Sequence, residues 1–359
     1  MVNPPVGDER LIQALRMIAP GTALRDAIDN IVKSRHGALL VFVDEEMVVP
    51  MISGGINLNV ELQPMVLYEL CKMDGAVLLN TDGSRILHAN VQLMPDASIS
   101  SQETGTRHRT AERVAKQIDC LCISISAARD VVTVYVGDIR HYMDPIRTIL
   151  DKADQALRTL ERFRTRWNQA STSLSLLEFQ NAVTMSDVLL VLQRVEMMMV
   201  IVHLIEGYIV QLGTEGRLVQ LQLEDMLVGV REDRIHILAD YLPDGRPVGG
   251  EAPESPRTSQ VRSVDLLSLT FVAESVGFGK DIALDKPVKP RGFRLLRRVP
   301  RLSDWVADAV VEHFGDLKHL NAAPVDELAA VPGVGFQRAR EIKDGLNRIH
   351  ETTLLERRG

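Results

Sequence analysis

Along the first 143 residues, short unbroken apolar runs alternate with stretches in which apolar residues recur every third or fourth position. The first pattern marks a strand buried on both faces, the second a helix with one face in a core. Gly37 to Val43, Gly75 to Leu79, Arg85 to Leu93, Cys120 to Ser126 and Val131 to Val136 are predicted strands. Asp8 to Ile18, Leu24 to Ser34, Pro64 to Lys72 and Arg107 to Gln117 are predicted helices, Pro64 opening its helix where a missing backbone N–H costs nothing. Strands and helices interleave, so the expectation is an α/β domain, a mixed sheet flanked by helices, over residues 1–143.

From Ile146 to about Asp240 the pattern is helical throughout. Asp151 to Trp167, Ser175 to Asn181, Ser186 to Leu212 and Leu218 to Ala239 are the predicted helices of an all-α spine, assigned to residues 144–288. Within it, Pro243 to Ser259 is rich in Pro and Gly and poor in apolar residues, which predicts a loop or a disordered insert. Residues 289–359 open on a basic run, Lys289, Arg291, Arg294, Arg297, Arg298 and Arg301. Two similar units follow. Val299-Pro300-Arg301-Leu302 heads a helix ending at Gly315, and Val331-Pro332-Gly333-Val334-Gly335 heads another from Gln337 to Ile349, 32 residues further on. Repetition at that distance marks a repeated supersecondary unit.

Composition narrows the function classes. A chain of 359 residues with 45% apolar content is long enough for two or three domains. The formal charge of −7 confines any nucleic-acid contact to a local patch, and 4% aromatics disfavours a stacking platform for single strands. Cys71, Cys120 and Cys122 form no CxxC pair and no zinc spacing, and read as reduced, buried thiols. No apolar segment opens the chain, so no signal peptide is expected and the expected location is cytoplasmic. Met185 to Leu212 is apolar, but Asp187, Arg194, Glu196, His203 and Glu206 lie within it, which favours a buried bundle helix over a membrane span. No membrane partner is expected.

Chemistry concentrates in two places. Gly105 to Arg113 places a glycine and Thr106, read as the helix cap, before Arg107, His108 and Arg109. Cations at a helix start oppose the helix dipole, so stability alone does not call for them. A polyphosphate bound to the free backbone amides accounts for them better than a solvated basic turn. Asp74-Gly75-Ala76 stands just before a strand, where a carboxylate can hold a divalent metal and the small residues leave room for a ligand; from this motif alone a plain turn with a capping Asp is the better reading.

Together, Leu67 to Val77, Ile86 to Asp96 and Gly105 to Ala115 closely resemble the diadenylate cyclase domain of the DNA integrity scanning (DisA) family, with Asp74-Gly75-Ala76 and Arg107-His108-Arg109 as its two signatures. The resemblance covers about the first 140 residues, and the later modules fit the family's layout. It implies condensation of two ATP into cyclic di-AMP and two pyrophosphates, with Mg2+ or Mn2+. Asp74 would serve the metal and the 3′-hydroxyl, Gly75 and Ala76 would lie against the nucleotide, and Arg107, His108 and Arg109 would hold the phosphates. Thr106 and Thr110 would add hydroxyl contacts, Leu93 and Met94 would bound the adenine, and Ser124 and Ser126 would neighbour the phosphates. Many relatives carry two arginines soon after that serine; here the run is Ser126-Ala127-Ala128-Arg129 and one cation is absent.

The last module resembles a tandem helix–hairpin–helix domain. There Gly333 and Gly335 would present backbone amides to a DNA phosphate, with Arg338, Arg340 and Lys343 beside them, while the first copy lacks both glycines. The resemblance implies branched DNA such as Holliday junctions as a regulating partner, a place in DNA repair, and a homo-oligomer with face-to-face cyclase domains, an octamer. The competing expectation is a DNA-structure-binding protein with a catalytically weak nucleotide domain. An ATP-hydrolysing repair factor is disfavoured, because no GxxxxGK[ST] loop occurs.

Overall fold

The computed structural model describes residues 8–127, 131–242 and 265–356. Ala128, Arg129 and the loop expected over Pro243 to Ser259 lie outside the described residues. By contacts the chain forms two compact units: residues 1–155 with 204–221, and residues 156–203 with 222–359.

The first unit is built on a mixed sheet. In chain order its elements are α1 (Glu9–Met17), α2 (Ala23–Lys33), β1 (Ala38–Phe42), α3 (Glu45–Val48), β2 (Ile52–Ser53), β3 (Ile56–Glu61), α4 (Pro64–Leu70), β4 (Ala76–Leu79), β5 (Arg85–Leu93), α5 (Thr106–Ile118), β6 (Leu121–Ile125), β7 (Val132–Val136) and β8 (Ile139–Tyr142). The strand order is β2-β5-β4-β1-β6-β7-β8, with β3 also paired to β5. The β1–β4 pair is parallel; β1–β6, β4–β5, β6–β7 and β7–β8 are antiparallel. The period-2 alternation of strands splits the core into two layers. Leu40 and Phe42 face α1, α2 and α4, whereas Leu39 and Val41 face α5 through Ala111, Val114 and Ala115. Every residue of β1 is buried, as its apolar run predicts.

Asp8 caps α1 and Thr22 caps α2 through their side chains. At α5 the cap is Gly105 with no side-chain hydrogen bond, and Thr106 is the first helical residue. The capping role expected of Thr106 is therefore corrected: its hydroxyl lies one position too late to reach the free amides.

Four long helices follow: α6 (Ile146–Gln180), α7 (Met185–Leu212), α8 (Arg217–Leu227) and α9 (Val230–Tyr241). The two expected helices over Asp151–Asn181 are one, and the single expected helix over Leu218–Ala239 is two, broken at Gly229 with φ +78°. The second unit closes with α10 (Leu269–Ser275), α11 (Phe293–Leu296), α12 (Asp304–Phe314), α13 (Leu317–Ala322), α14 (Val325–Ala329) and α15 (Gly335–Glu356). α7 is long and apolar enough to cross a membrane, yet 61% of the most apolar window in this region is buried inside the protein, as in the core helix of a globular fold.

The 32-residue sequence repeat is a backbone repeat as well. Leu302 N–H donates to the Val299 carbonyl at 3.4 Å, and Val334 N–H to the Val331 carbonyl at 3.0 Å. Between them Arg301 takes φ +62° where the second copy has Gly333 at φ +81°. Both valines are buried in one apolar cluster with Leu295, Val310, Leu328 and Ile342.

The basic run turns inward. Arg294 is fully buried, and its guanidinium meets Glu178 at 2.6 Å, Asp233 at 3.0 Å, and the Ser171 and Ser175 hydroxyls at 2.6 and 3.0 Å. Arg298 reaches Asp233 at 2.9 Å, and Arg291 donates to the carbonyls of Ala239 and Leu242. Asp240 accepts from the backbone N–H groups of Gly292, Phe293 and Arg294, filling the start of α11.

Candidate active site

Asp74 stands in the turn that leads into β4, fully exposed to solvent. The turn depends on Gly75, whose φ of +96° excludes most side chains. A Cβ there would lie 2.8 Å from the Val91 carbonyl oxygen of β5, and Asn90 beside it also has positive φ, 55°. The space thought free for a ligand at Gly75 is thus filled by β5 backbone, and Ala76 turns its methyl into the core at 1% exposure. What these two residues can offer a nucleotide is backbone.

Arg107, on the first turn of α5, brings Nη2 to 3.7 Å from the Asp74 carboxylate. Gly37, which sequence reasoning missed as a site residue, shapes its position. A Cβ on Gly37 would meet Arg107 Nη1 at 2.7 Å, so glycine leaves room for the guanidinium. Cys71 is buried close by; burial pushes its thiol up to about 12, against the pull of the Arg107 charge, so it stays a neutral packing group.

The other α5 cations face a loop. Arg109 Nε lies 3.4 Å from the Glu103 carbonyl, Arg113 donates to the carbonyls of Ile99 and Ala97, and Lys116 to that of Ser100. Glu112 accepts from the Ser101 hydroxyl at 2.6 Å and from Lys116 at 2.8 Å. Burial alone would raise the Glu112 carboxyl, but these donors outweigh it and hold it below its usual range. Residues 97–104 are thereby fastened along α5, directly before its N-terminal end.

His108 points to the sheet. Its Nδ1 lies 3.2 Å from the hydroxyl of Tyr135 on β7, which lies 3.0 Å from Glu103, and Glu103 pairs with Arg140 at 3.1 Å. Beside this group opens a cavity of about 1320 Å³, walled in part by Gly105, His108, Ser126 and Arg140. Ser126 therefore shares an opening with His108. Ser124 does not: it is wholly buried, and its hydroxyl has no hydrogen-bond partner, which closes it to a ligand in this conformation. Thr106 is exposed and Thr110 half-buried on α5; Leu93 is half-buried and Met94 exposed at the end of β5, fixed by the Met94 N–H to the Met51 carbonyl at 2.8 Å.

The residues named at the C-terminus belong to the second unit. Gly333 lies under the exposed Trp305, where a Cβ would meet the indole at 2.0 Å; Gly335, at φ +60°, faces open space. Arg338 donates to the Gly333 carbonyl at 2.7 Å and Arg340 is exposed, whereas Lys343 is tied to the Asn321 carbonyl at 2.7 Å.

Comparison with known proteins reaches both units. Residues 25–139 match the model of the DisA bacterial checkpoint controller nucleotide-binding domain, and residues 143–284 that of the DisA linker region. A DNA integrity scanning protein DisA from Frankia alni is 45% identical over 99% of both chains. The chain belongs to the DisA family. A further member, from Clostridium perfringens, is 43% identical over 98% of this chain and 99% of its own. Among solved structures, a double mutant of DacA from Staphylococcus aureus is 23% identical, covers 38% of this chain and 88% of that one, and aligns with a TM-score of 0.29, too slight a likeness to carry an argument. Membership places the nucleotide-binding segment of the family on the sheet and on α5, where Asp74, Arg107 and His108 were found.

Proposed function

We propose that the chain is a diadenylate cyclase, joining two ATP into cyclic di-AMP with release of two pyrophosphates. The observation that carries this reading is the approach of Asp74 to Arg107 at 3.7 Å, an exposed carboxylate beside a fixed cation at the start of a helix. Phosphoryl transfer needs the attacking hydroxyl, the α-phosphorus and the leaving group in line, and fixed charge where the phosphate oxygens lie. Asp74 faces the 3′-hydroxyl, while Arg107, His108, Arg109 and the free amides of α5 hold the triphosphate. Each bond formed, 3′-oxygen to α-phosphorus, releases one pyrophosphate.

Mg2+ or Mn2+ fits this donor set. A hard cation of this size is commonly held by one or two carboxylates together with substrate phosphates. Asp74 supplies the one carboxylate, and among the described residues no group of three or more His, Cys, Asp or Glu could form a cage. Bound there, the ion would neutralise phosphate charge.

A further part of the proposal is that the second unit binds branched DNA and thereby regulates synthesis. The relatives are named as DNA integrity scanning proteins, which supports it, as do the positive-φ glycines at 333 and 335 with Arg338 and Arg340 exposed beside them. A chain that works on ATP and DNA is expected in the cytoplasm.

The test is to incubate the purified protein with ATP and Mg2+ or Mn2+ and to separate cyclic di-AMP from ADP. Cyclic di-AMP is expected from the native chain and none from Asp74→Asn, whose circular dichroism should be unchanged because the side chain is exposed. ADP as the main product, or full synthesis by the variant, would overturn the reading.

A further inference from the structure

We infer that Arg140, Glu103 and Tyr135 are positioning residues that fix which nitrogen of His108 carries its proton, and so which nitrogen meets phosphate; the functional part rests on the cyclase reading above.

The argument is a count of hydrogens. Tyr135 is buried at 1% exposure, and its hydroxyl has a single hydrogen. That hydroxyl lies 3.0 Å from Glu103 Oε1 and 3.2 Å from His108 Nδ1. A carboxylate only accepts, so the phenolic hydrogen goes to Glu103 and the phenolic oxygen is left to accept. His108 Nδ1 must therefore be the donor. Burial, with the Glu103 charge beside it, pushes the Tyr135 hydroxyl well above its usual range, so it stays a phenol and keeps that hydrogen.

The carboxylate is itself held in place. Arg140 on β8 donates to the same Glu103 oxygen at 3.1 Å, and its guanidinium lies over the Tyr142 ring, 5.3 Å from the centroid. Three segments thus converge on one imidazole: β7 through Tyr135, β8 through Arg140, and the loop before α5 through Glu103. With Nδ1 committed as a donor, Nε2 is the one nitrogen at which a phosphate could bring in a second proton, and in a ring so protonated the Nε2–H is the charge-assisted donor to a phosphate oxygen at the wall of the 1320 Å³ cavity. A ring in the other tautomer would leave Nδ1 bare against the phenol and would rotate to recover a bond.

The alternative is that Tyr135 only packs α5 against the sheet, where it belongs to the same apolar cluster as Val114. Tyr135→Phe separates the two, because it keeps the ring and removes the hydroxyl. Glu103→Gln is the second variant: its amide can donate, which releases the Tyr135 hydrogen toward Nδ1 and reverses the tautomer. The experiment is 15N magic-angle-spinning NMR of the full chain labelled at histidine, with His108 assigned by its loss in His108→Gln, together with steady-state kinetics. The native chain should show a protonated Nδ1 at His108. Both variants should lose that signal and lower kcat by about ten- to a hundredfold, the scale of a misaligned reacting group, with KM for ATP and melting temperature little changed. A protonated Nδ1 that persists in both variants overturns the relay, and a lost signal with unchanged kcat overturns its role in the reaction. If the native chain makes no cyclic di-AMP, the cyclase reading and the kinetic part fall together, while the NMR arm still decides the relay.

Discussion

Gly75 and Asp240 show two ways in which one residue sets a local energy. At Gly75, a side chain meets both a φ of +96° and the β5 backbone 2.8 Å from its Cβ, and neither can yield cheaply. Gly75→Ala should destabilise the first unit by about 1–3 kcal/mol, read as a lower urea midpoint with unchanged slope. Asp240 is wholly buried against Glu178. Burial first, then the Glu178 charge, pushes its carboxyl from 3.8 to about 7, outweighing the three backbone N–H groups it accepts. A carboxyl whose pKa rises on folding binds its proton more tightly in the folded chain. Its contribution is full below 3.8 and is lost as pH rises to about 7. Glu178 is raised in the same sense and Asp233 is lowered, so the share of Asp240 is isolated by difference. Asp240→Asn gives up an acceptor but cannot titrate, so it should trail the native chain most near about pH 4 and progressively less toward about pH 8 in urea unfolding. A constant gap across that range would refute the assignment.

Among the elements, α6 is the most instructive, since it was expected as two helices and is one of 35 residues. The apolar period lapses around Ser171, Thr172 and Ser173, and the structure gives the reason: Ser171 and Ser175 face inward and hydrogen-bond Arg294. A polar residue on the buried face looks, in sequence, like the end of a helix. The same burial hid the role of the basic run, where Arg294 serves the core and not the surface. Replacing it by methionine leaves Glu178 buried without its cation and Asp233 with Arg298 alone, so Arg294→Met should cost about 3–5 kcal/mol, seen as a depressed unfolding transition of the second unit by calorimetry. Where burial follows composition, the pattern was legible. α1, α2, α5, β1 and β4 to β7 lie within a residue or two of their expected bounds. β3 was not expected although Ile56, Leu58 and Val60 alternate with polar residues as in a half-buried strand; five of its six residues are exposed, and only Leu58 packs against the core. Of the site, Asp74 and the α5 cations were legible as motifs. Tyr135, Glu103, Arg140 and Gly37 were not, because each acts through partners between 27 and 70 positions away, a proximity only the fold creates.

At the scale of the whole molecule, the arithmetic of the proposed product governs assembly. Cyclic di-AMP has two equivalent halves, each closed by attack of one ATP's 3′-hydroxyl on the other's α-phosphate. The chain carries Asp74-Gly75-Ala76 once and Arg107-His108-Arg109 once, enough to hold one ATP. The proposed reaction would therefore need two cyclase domains facing each other across a two-fold axis, which would give both nucleotides the same surroundings. A single chain can bind ATP but has no second nucleotide placed for attack. The family resemblance adds the expectation of an octamer, and the face-to-face pair is the part that the chemistry requires. Asp74→Asn offers a test by dilution of competent pairs. When it is co-expressed in equal amount with the native chain, random pairing leaves about one quarter of pairs wholly native, about half of the pairs being mixed. A mixed pair can close at most one of the two bonds, so cyclic di-AMP output per native chain should fall to about half, with a linear dinucleotide appearing beside it. Sedimentation of the same samples reports whether pairs exist at the assay concentration. Output per native chain that is independent of the co-expressed variant, from a species sedimenting as one chain, would refute the paired mechanism.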